Sequence, residues 1–325
     1  MREMILSTVA AVTLVAAPSA TLAGDWKGWS IHPEDYPNTV AMQAFAEKVA
    51  EVTDGRVTPT VYAGGVLGSQ PDAIEQVRAG ALEWANFNMG PMGEIVPATN
   101  VLSLPFVFRD VDHMHVAMDG EVGDQFSAAL SESGLVALSW FDSGSRSFYN
   151  SKQPIAEPAD MNGMKFRVMN NDLYVQMVSQ LGGNATPMAY GEVYQSLQTG
   201  VIDGAENNYP SFESSGHFEV AKYYSITNHL IIPECLCVST IVWDQVSEDD
   251  KVAIAAAAQE AAEIQRDLWA KRELASREKV EAAGATINEV KDPLAFQAAM
   301  EPIYAKFIAQ NPALESLIAD IQSAK

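Results

Sequence analysis

One construction occurs twice in this chain, and a unit that cannot bury itself alone restricts the folds open to it. The second copy runs from Tyr190 to Asn208. It reads as a short helix, a glycine stop at Gly200, a short strand through Ile202, and a polar tip at Glu206, Asn207 and Asn208. The first copy lies 120 positions earlier (Gly200 against Gly80). There Val77, Gly80, Leu82, Glu83 and Ala85 match Leu197, Gly200, Ile202, Asp203 and Ala205, and the strand ends at Asn86-Phe87-Asn88. Ligands of open α/β sheets bind beyond the carboxyl ends of the strands. Two such units predict two similar lobes aiming polar side chains into one cleft. The alternative is two ordinary αβ turns that match by chance.

Residues 1–23 read as a secretory signal peptide. Arg2 gives a basic start, Ile5 to Ala17 is apolar apart from Ser7, Thr8 and Thr13, and Thr21-Leu22-Ala23 offers small residues at a cleavage site. The apolar run is too short to span a bilayer. This predicts a soluble, exported chain with no direct lipid anchor, periplasmic in location. The remaining length of about 300 residues suffices for two lobes. With 20 Lys+Arg against 42 Asp+Glu the formal charge is −22, which argues against nucleic acid and anionic membrane surfaces. An anionic ligand would also meet a repulsive overall field, so it would need a local cluster of cations. Cys235 and Cys237 are the two cysteines. A bridge between positions two apart is strained, so free buried thiols are expected, and C-x-C alone supplies too few ligands for a metal.

A first strand is predicted over Asp25–Ser30, then a loop through His32-Pro33-Glu34-Asp35-Tyr36-Pro37, then a helix with Ala41, Phe45, Val49 and Val52 on its apolar face. The chain changes lobe near Ser143. Lys165–Met169 reads as a strand carrying Arg167, and Leu230–Val242 as one buried strand. Ser247-Glu-Asp-Asp250 is a strong helix start. The helix it opens runs to Gly284, about 36 residues or roughly 54 Å at 1.5 Å each, longer than a lobe is wide.

Arg146 and Arg167 stand out because cations are scarce and both sit where a strand meets a loop. A guanidinium matches a carboxylate with two parallel bonds. Two structural Arg–acid pairs are the alternative. Asn88, Asn170, Asn207 and Asn208 each end a predicted strand, and amides suit hydroxyl-bearing ligands. Tyr190 offers a ring face, or belongs to the core. His113 and His115 diverge on a helix and make a poor metal pair. No P-loop, dinucleotide fingerprint, nucleophile elbow or H-E-x-x-H motif occurs, and no cofactor or metal is implied.

Three stretches carry a resemblance. They are Ala159-Asp-Met-Asn-Gly-Met-Lys-Phe-Arg167-Val, Thr186-Pro-Met-Ala-Tyr-Gly-Glu-Val-Tyr-Gln-Ser-Leu-Gln198, and Val201-Ile-Asp-Gly-Ala-Glu-Asn207. Leu104-Pro105-Phe106 and Lys222–His229 add to it. Over nearly the whole exported chain the sequence resembles the extracytoplasmic solute-binding protein of a tripartite ATP-independent periplasmic (TRAP) transporter, of the dicarboxylate-binding (DctP) type. The resemblance implies an α/β, two-lobed periplasmic-binding-protein fold with crossing hinge strands and a long helix spanning both lobes. Residues 24–143 would form lobe I, 144–230 lobe II, 231–246 a strand returning to lobe I, 247–284 the spanning helix, and 285–325 a C-terminal segment packing on lobe II. The family's carboxylate clamp falls on Arg167. Further contacts fall on Arg146, Asn207, Asn170 and Tyr190, and in lobe I on His32, Gln70 and Asn88.

Asn208 stands where many dicarboxylate and sialic-acid members have proline. With His32–Pro37 and Ser145–Asn150 this is similar to the hexuronate-binding branch, which implies D-glucuronate or D-galacturonate as ligand. His32, Asp35, Asn88 and Glu234 would then meet the sugar hydroxyls. The implied role is a non-enzymatic, monomeric receptor that hands its sugar acid to one small and one large TRAP membrane subunit. Other organic acids (a C4-dicarboxylate, a keto acid, a sialic acid), a sensor role and a periplasmic sugar-acid enzyme are the alternatives.

Overall fold

The computed structural model describes residues 24–325, and the leader expected over residues 1–23 lies outside them. The strands are β1 (Gly24–Trp29), β2 (Val57–Tyr62), β3 (Trp84–Asn88), β4 (Leu135–Phe141), β5 (Ser145–Asn150), β6 (Lys165–Val168), β7 (Asn184–Pro187), β8 (Gly204–Asn207), β9 (Tyr223–Ile231), β10 (Glu234–Ser239) and β11 (Thr286–Glu289). They form two sheets, ordered β2-β1-β3-β10-β4 and β11-β9-β5-β8-β6-β7. β1 lies parallel between β2 and β3, and β6 lies parallel between β7 and β8. The two sheets are the two lobes.

The duplication reaches further than the sequence pattern. Helices Gln70–Arg78 and Val193–Gln198 stop at Gly80 and Gly200, with φ of 70° and 73°, where a side chain would strain the backbone. Each glycine N–H donates back into its helix, to Val77 O at 3.0 Å and Leu197 O at 3.1 Å. The acid that opens each following strand then ties it to its neighbour. Glu83 accepts from the Lys27 N–H at 2.6 Å and Asp203 from the Lys165 N–H at 2.8 Å. The same acids' own N–H groups donate to Lys27 O at 3.2 Å and Lys165 O at 2.7 Å. At the far end Asn88 and Asn208 cap short helices, accepting from Gly90 N at 3.0 Å and Ser211 N at 2.8 Å.

The chain crosses between the sheets at Asp142-Ser143-Gly144, from β4 to β5, and returns at Ile232-Pro233, from β9 to β10. The single strand expected over Leu230–Val242 is therefore corrected. Pro233 has no N–H to give a ladder and divides the run between two sheets, and Thr240–Trp243 turns into a short helix. The thiols are corrected as well: Cys235 and Cys237 form a disulfide. Their Cα atoms lie 5.5 Å apart, within disulfide reach.

The long helix covers Glu248–Ala282, capped by Ser247, whose Oγ accepts from Asp250 N at 3.2 Å. Its first half packs Ile254, Ala257, Ala258 and Ala261 with Phe45 and Trp84 of the first lobe. Its last turns join the second lobe, where Val280 lies in one core with Tyr149 and Tyr224, and Arg272 and Lys279 both pair with the buried Glu213. Midway, the fully buried Gln265 grips the crossing strand. Its Nε2 donates to Asp142 O at 2.9 Å and Asn38 Oδ1 at 2.8 Å, and its Oε1 accepts from Asp142 N at 2.8 Å. The C-terminal segment, expected on the second lobe, joins both. β11 pairs with β9, while the final helix Glu315–Ser323 reaches the first lobe, where Arg109 donates to Gln322 O and Ala324 O and His113 Nε2 donates to Ile321 O.

Candidate ligand-binding site

Between the sheets lies a cavity of about 260 Å³. The first lobe lines it with His32, Gln70, Asn88 and Glu234, and the second with Arg146, Arg167, Asn170, Tyr190 and Asn207. Hydrogen bonds close the lobes around it: Tyr36 Oη with Ser211 Oγ at 2.8 Å, Asn171 Nδ2 to Gly90 O at 2.8 Å, and Ser103 Oγ with Tyr174 Oη at 2.8 Å. Asp35, expected here, is elsewhere. It is exposed, and its carboxylate pairs with Arg272 of the long helix at 3.2 Å, because the chain turns outward after His32-Pro33.

Arg167 is the unusual group. It is buried at 4% exposure, and no carboxylate pairs with it among the described residues. Its Nε and Nη2 donate to Met188 O at 3.0 and 2.8 Å, and Nη1 has no protein acceptor. Burial draws its pKa below the ordinary arginine value, with Glu206 acting in the other direction. The group stays charged, and a buried cation without a partner is costly unless something else supplies the negative charge.

Arg146 is the opposite case. Its Nε and Nη2 form a two-pronged pair with Glu206 at 2.7 and 2.9 Å, Nη2 also reaches Glu206 O at 3.0 Å, and Nη1 donates to Asn207 Oδ1 at 2.7 Å. Four donor positions are thus taken by protein, so Arg146 acts mainly by holding Asn207 in place. Asn207 Oδ1 also accepts from Asn208 N at 2.9 Å, which turns its NH₂ toward the cavity. Glu206 was visible in the sequence only as part of a polar tip. Burial raises its pKa, but Arg146 and His229 overcome that and hold it at about 2. The antiparallel register of β5 and β8, with Ser147 opposite Asn207, is what brings Glu206 to Arg146, and spacing in the sequence does not reveal it.

The first-lobe wall is built around Glu234, at the start of β10 and 2% exposed. His32 Nε2 and Asn88 Nδ2 each lie 3.3 Å from its Oε1, and Asn38 Nδ2 donates to its Oε2 at 2.8 Å. Burial pushes its pKa up, and His32 with the two amides more than offsets this, so the carboxyl is held below its usual range. His32 lies flat on Tyr36, with ring centres 3.9 Å apart. Gln70 spends its amide on the backbone of Asn88, accepting from N at 3.2 Å and donating to O at 2.7 Å, which fixes that strand end. Asn170 is exposed at the cavity edge, and Tyr190 is half-buried with its hydroxyl on Ser211 O at 3.3 Å. Asn208 points away, donating to Ser143 O at 2.7 Å on the crossing strand.

A cleft whose second lobe holds a buried arginine with no carboxylate among the described residues, and whose first lobe offers acceptors and donors, has the chemistry to accept a small hydroxylated acid. Comparison with known proteins agrees with that class. Residues 30–311 match the DctP family model, described as bacterial extracellular solute-binding protein, family 7, and the chain belongs to that family. A TRAP periplasmic solute-binding protein from Chromohalobacter salexigens with bound D-glucuronate is 62% identical with a TM-score of 0.92, covering 93% of this chain and 100% of that one. One from Roseobacter denitrificans with β-D-glucuronate is 56% identical, TM-score 0.92, with the same coverage. One from Sulfitobacter with β-D-galacturonate is 53% identical, TM-score 0.91, again covering 93% and 100%. Among the described residues no helix is long and apolar enough to cross a membrane.

Proposed function

We propose that the chain is the exported receptor of a TRAP transporter for the hexuronates D-glucuronate and D-galacturonate. Arg167, buried and without a carboxylate of its own, is the observation that carries this reading. Its free Nη1 edge takes the ligand carboxylate, the Asn207 amide and the remaining N–H of Arg146 add donors, and Tyr190 covers one ring face. Glu234, His32 and Asn88 take the hydroxyls from the other lobe. Three related structures hold a hexuronate, which supports the same ligand class. Residues 24–143 and 144–230 are the two lobes that close on it, and 231–246 returns to the first. Closure removes water and strengthens every charged contact. It also shifts the population toward the shape read by a small and a large membrane subunit. Residues 1–23 direct the chain to the periplasm and are then removed. The ligand leaves chemically unchanged.

A melting experiment tests this. Ligand at about 100 times Kd stabilises by about 2.7 kcal/mol. Glucuronate and galacturonate are expected to raise Tm, while glucose and galactose, which lack the carboxylate, leave it alone. A protein indifferent to both uronates, or one that converts them, refutes the proposal.

A further inference from the structure

The charges around the cavity do not cancel evenly. Arg146 and Glu206 neutralise each other within the second lobe. That leaves Arg167 as a net positive site on the second sheet and Glu234 as an anionic one on the first, on opposite sides of a single small cavity; His32, 3.3 Å from Glu234, cancels that negative charge only when its imidazole is protonated. Three donors converge on Glu234, from His32, Asn88 and Asn38, two of them amides that carry no charge. An ionised carboxylate with up to four acceptor positions and three donors still has room for one more donor, and a ligand hydroxyl supplies it. It has nothing to offer a second carboxylate.

We propose that Glu234 is a specificity residue that rejects diacids, so that the cleft takes sugar monoacids and excludes the aldarates derived from them by oxidation at the aldehyde carbon. This rests on the hexuronate reading above. A monoacid sets its carboxylate on Arg167 and a hydroxyl on Glu234. An aldarate of the same length brings a second anion to Glu234 inside a closed, water-poor space, where like charges a few ångströms apart repel by far more than in water. The barrier is electrostatic, so it follows the ligand's charge and not its length.

The test uses the full exported chain and competition binding with three probes: galacturonate, galactarate and the monomethyl ester of galactarate. The parent is expected to bind galactarate at least about 100-fold more weakly than galacturonate. The ester keeps the open chain but loses one charge, and it should recover about 10-fold or more of that deficit. Glu234→Gln keeps the shape and removes the charge, so it should move the galactarate-to-galacturonate ratio about 10-fold or more toward the diacid. Galactarate within about 10-fold of galacturonate in the parent overturns the proposal, as does an ester no better than the diacid or an unchanged ratio in the variant. If Glu234→Gln does not fold, the ester comparison on the parent decides alone. If the parent binds no galacturonate, the hexuronate reading fails first, which is a separate outcome.

Discussion

Replacing Arg167 by alanine separates a binding cation from a structural one, because the two roles predict opposite effects on the empty protein. In the binding role the side chain is a liability without ligand. It is 4% exposed, lacks a carboxylate among the described residues, and donates only to Met188 O. Truncation removes a desolvated charge, which favours the folded state. It also strands the Met188 carbonyl, which costs about 1–3 kcal/mol if water does not replace the donor. These effects oppose each other, so the ligand-free variant should lie within about 2 kcal/mol of the parent in urea unfolding. Binding should suffer far more. A carboxylate enclosed in the cleft loses the one lining cation without a carboxylate partner among the described residues, at about 2–5 kcal/mol, or some 30-fold to several thousand-fold in Kd. Calorimetric titration with galacturonate reads the affinity, and a denaturant midpoint on the same sample reads the stability. Parent-like affinity in the variant refutes the clamp. A loss of about 3–5 kcal/mol without ligand, the cost of breaking a buried pair, refutes the claim that Arg167 is unpaired.

Glu206→Gln should do the reverse. It leaves Arg146 buried without its counter-charge, and unfolding should cost about 3–5 kcal/mol less, read as a lower urea midpoint. The parent's Glu206 titrates near pH 2 when folded, against 4.5 as its ordinary value. A lowered folded pKa means its contribution is complete above about pH 4.5 and is lost as pH falls toward 2, so the variant should lose less stability over that window. His217 is a second acid-sensitive group. Burial holds its pKa at about 3, against 6.5, and Tyr149 Oη sits 2.6 Å from its Nδ1. It stays neutral in the folded chain while the unfolded chain takes up a proton, so stability present above pH 6.5 is lost as pH falls toward 3. His217→Gln should flatten the parent's midpoint-versus-pH curve between pH 6.5 and 5; an unchanged slope refutes the buried-neutral assignment.

Much of the architecture was legible because it is written in local chemistry. Ser247 with three acids announces the long helix, Gly80 and Gly200 announce two helix stops, and the apolar period of Ala41 to Val52 gives the first helix its face. The failures are non-local. The largely apolar stretch Leu230–Val242 hides the change of sheet, because Leu230–Ile232 before Pro233 and Cys235–Val238 after it are buried alike. The disulfide joins residues that spacing alone left as free thiols, and only their 5.5 Å Cα separation shows that the bridge is within reach. Arg146 and Arg167 looked alike as scarce cations near strand ends. Only the pairing of β5 with β8 shows that one is already matched with Glu206 and the other is not. Asp35 looked equivalent to His32 three residues earlier, but a proline turn and a distant arginine send it outward.

The two acid ties, Glu83 to Lys27 and Asp203 to Lys165, have a consequence for how such a scaffold can be reused. Each fixes how far a tip-bearing strand projects, and neither belongs to the cavity lining. The height of the walls is therefore set independently of what covers them. Residues such as Asn170 or Tyr190 can be exchanged without resetting the strands beneath. A frame whose depth is anchored outside its own binding surface can be relined for a new acid by a few substitutions, whether by selection in nature or by an engineer.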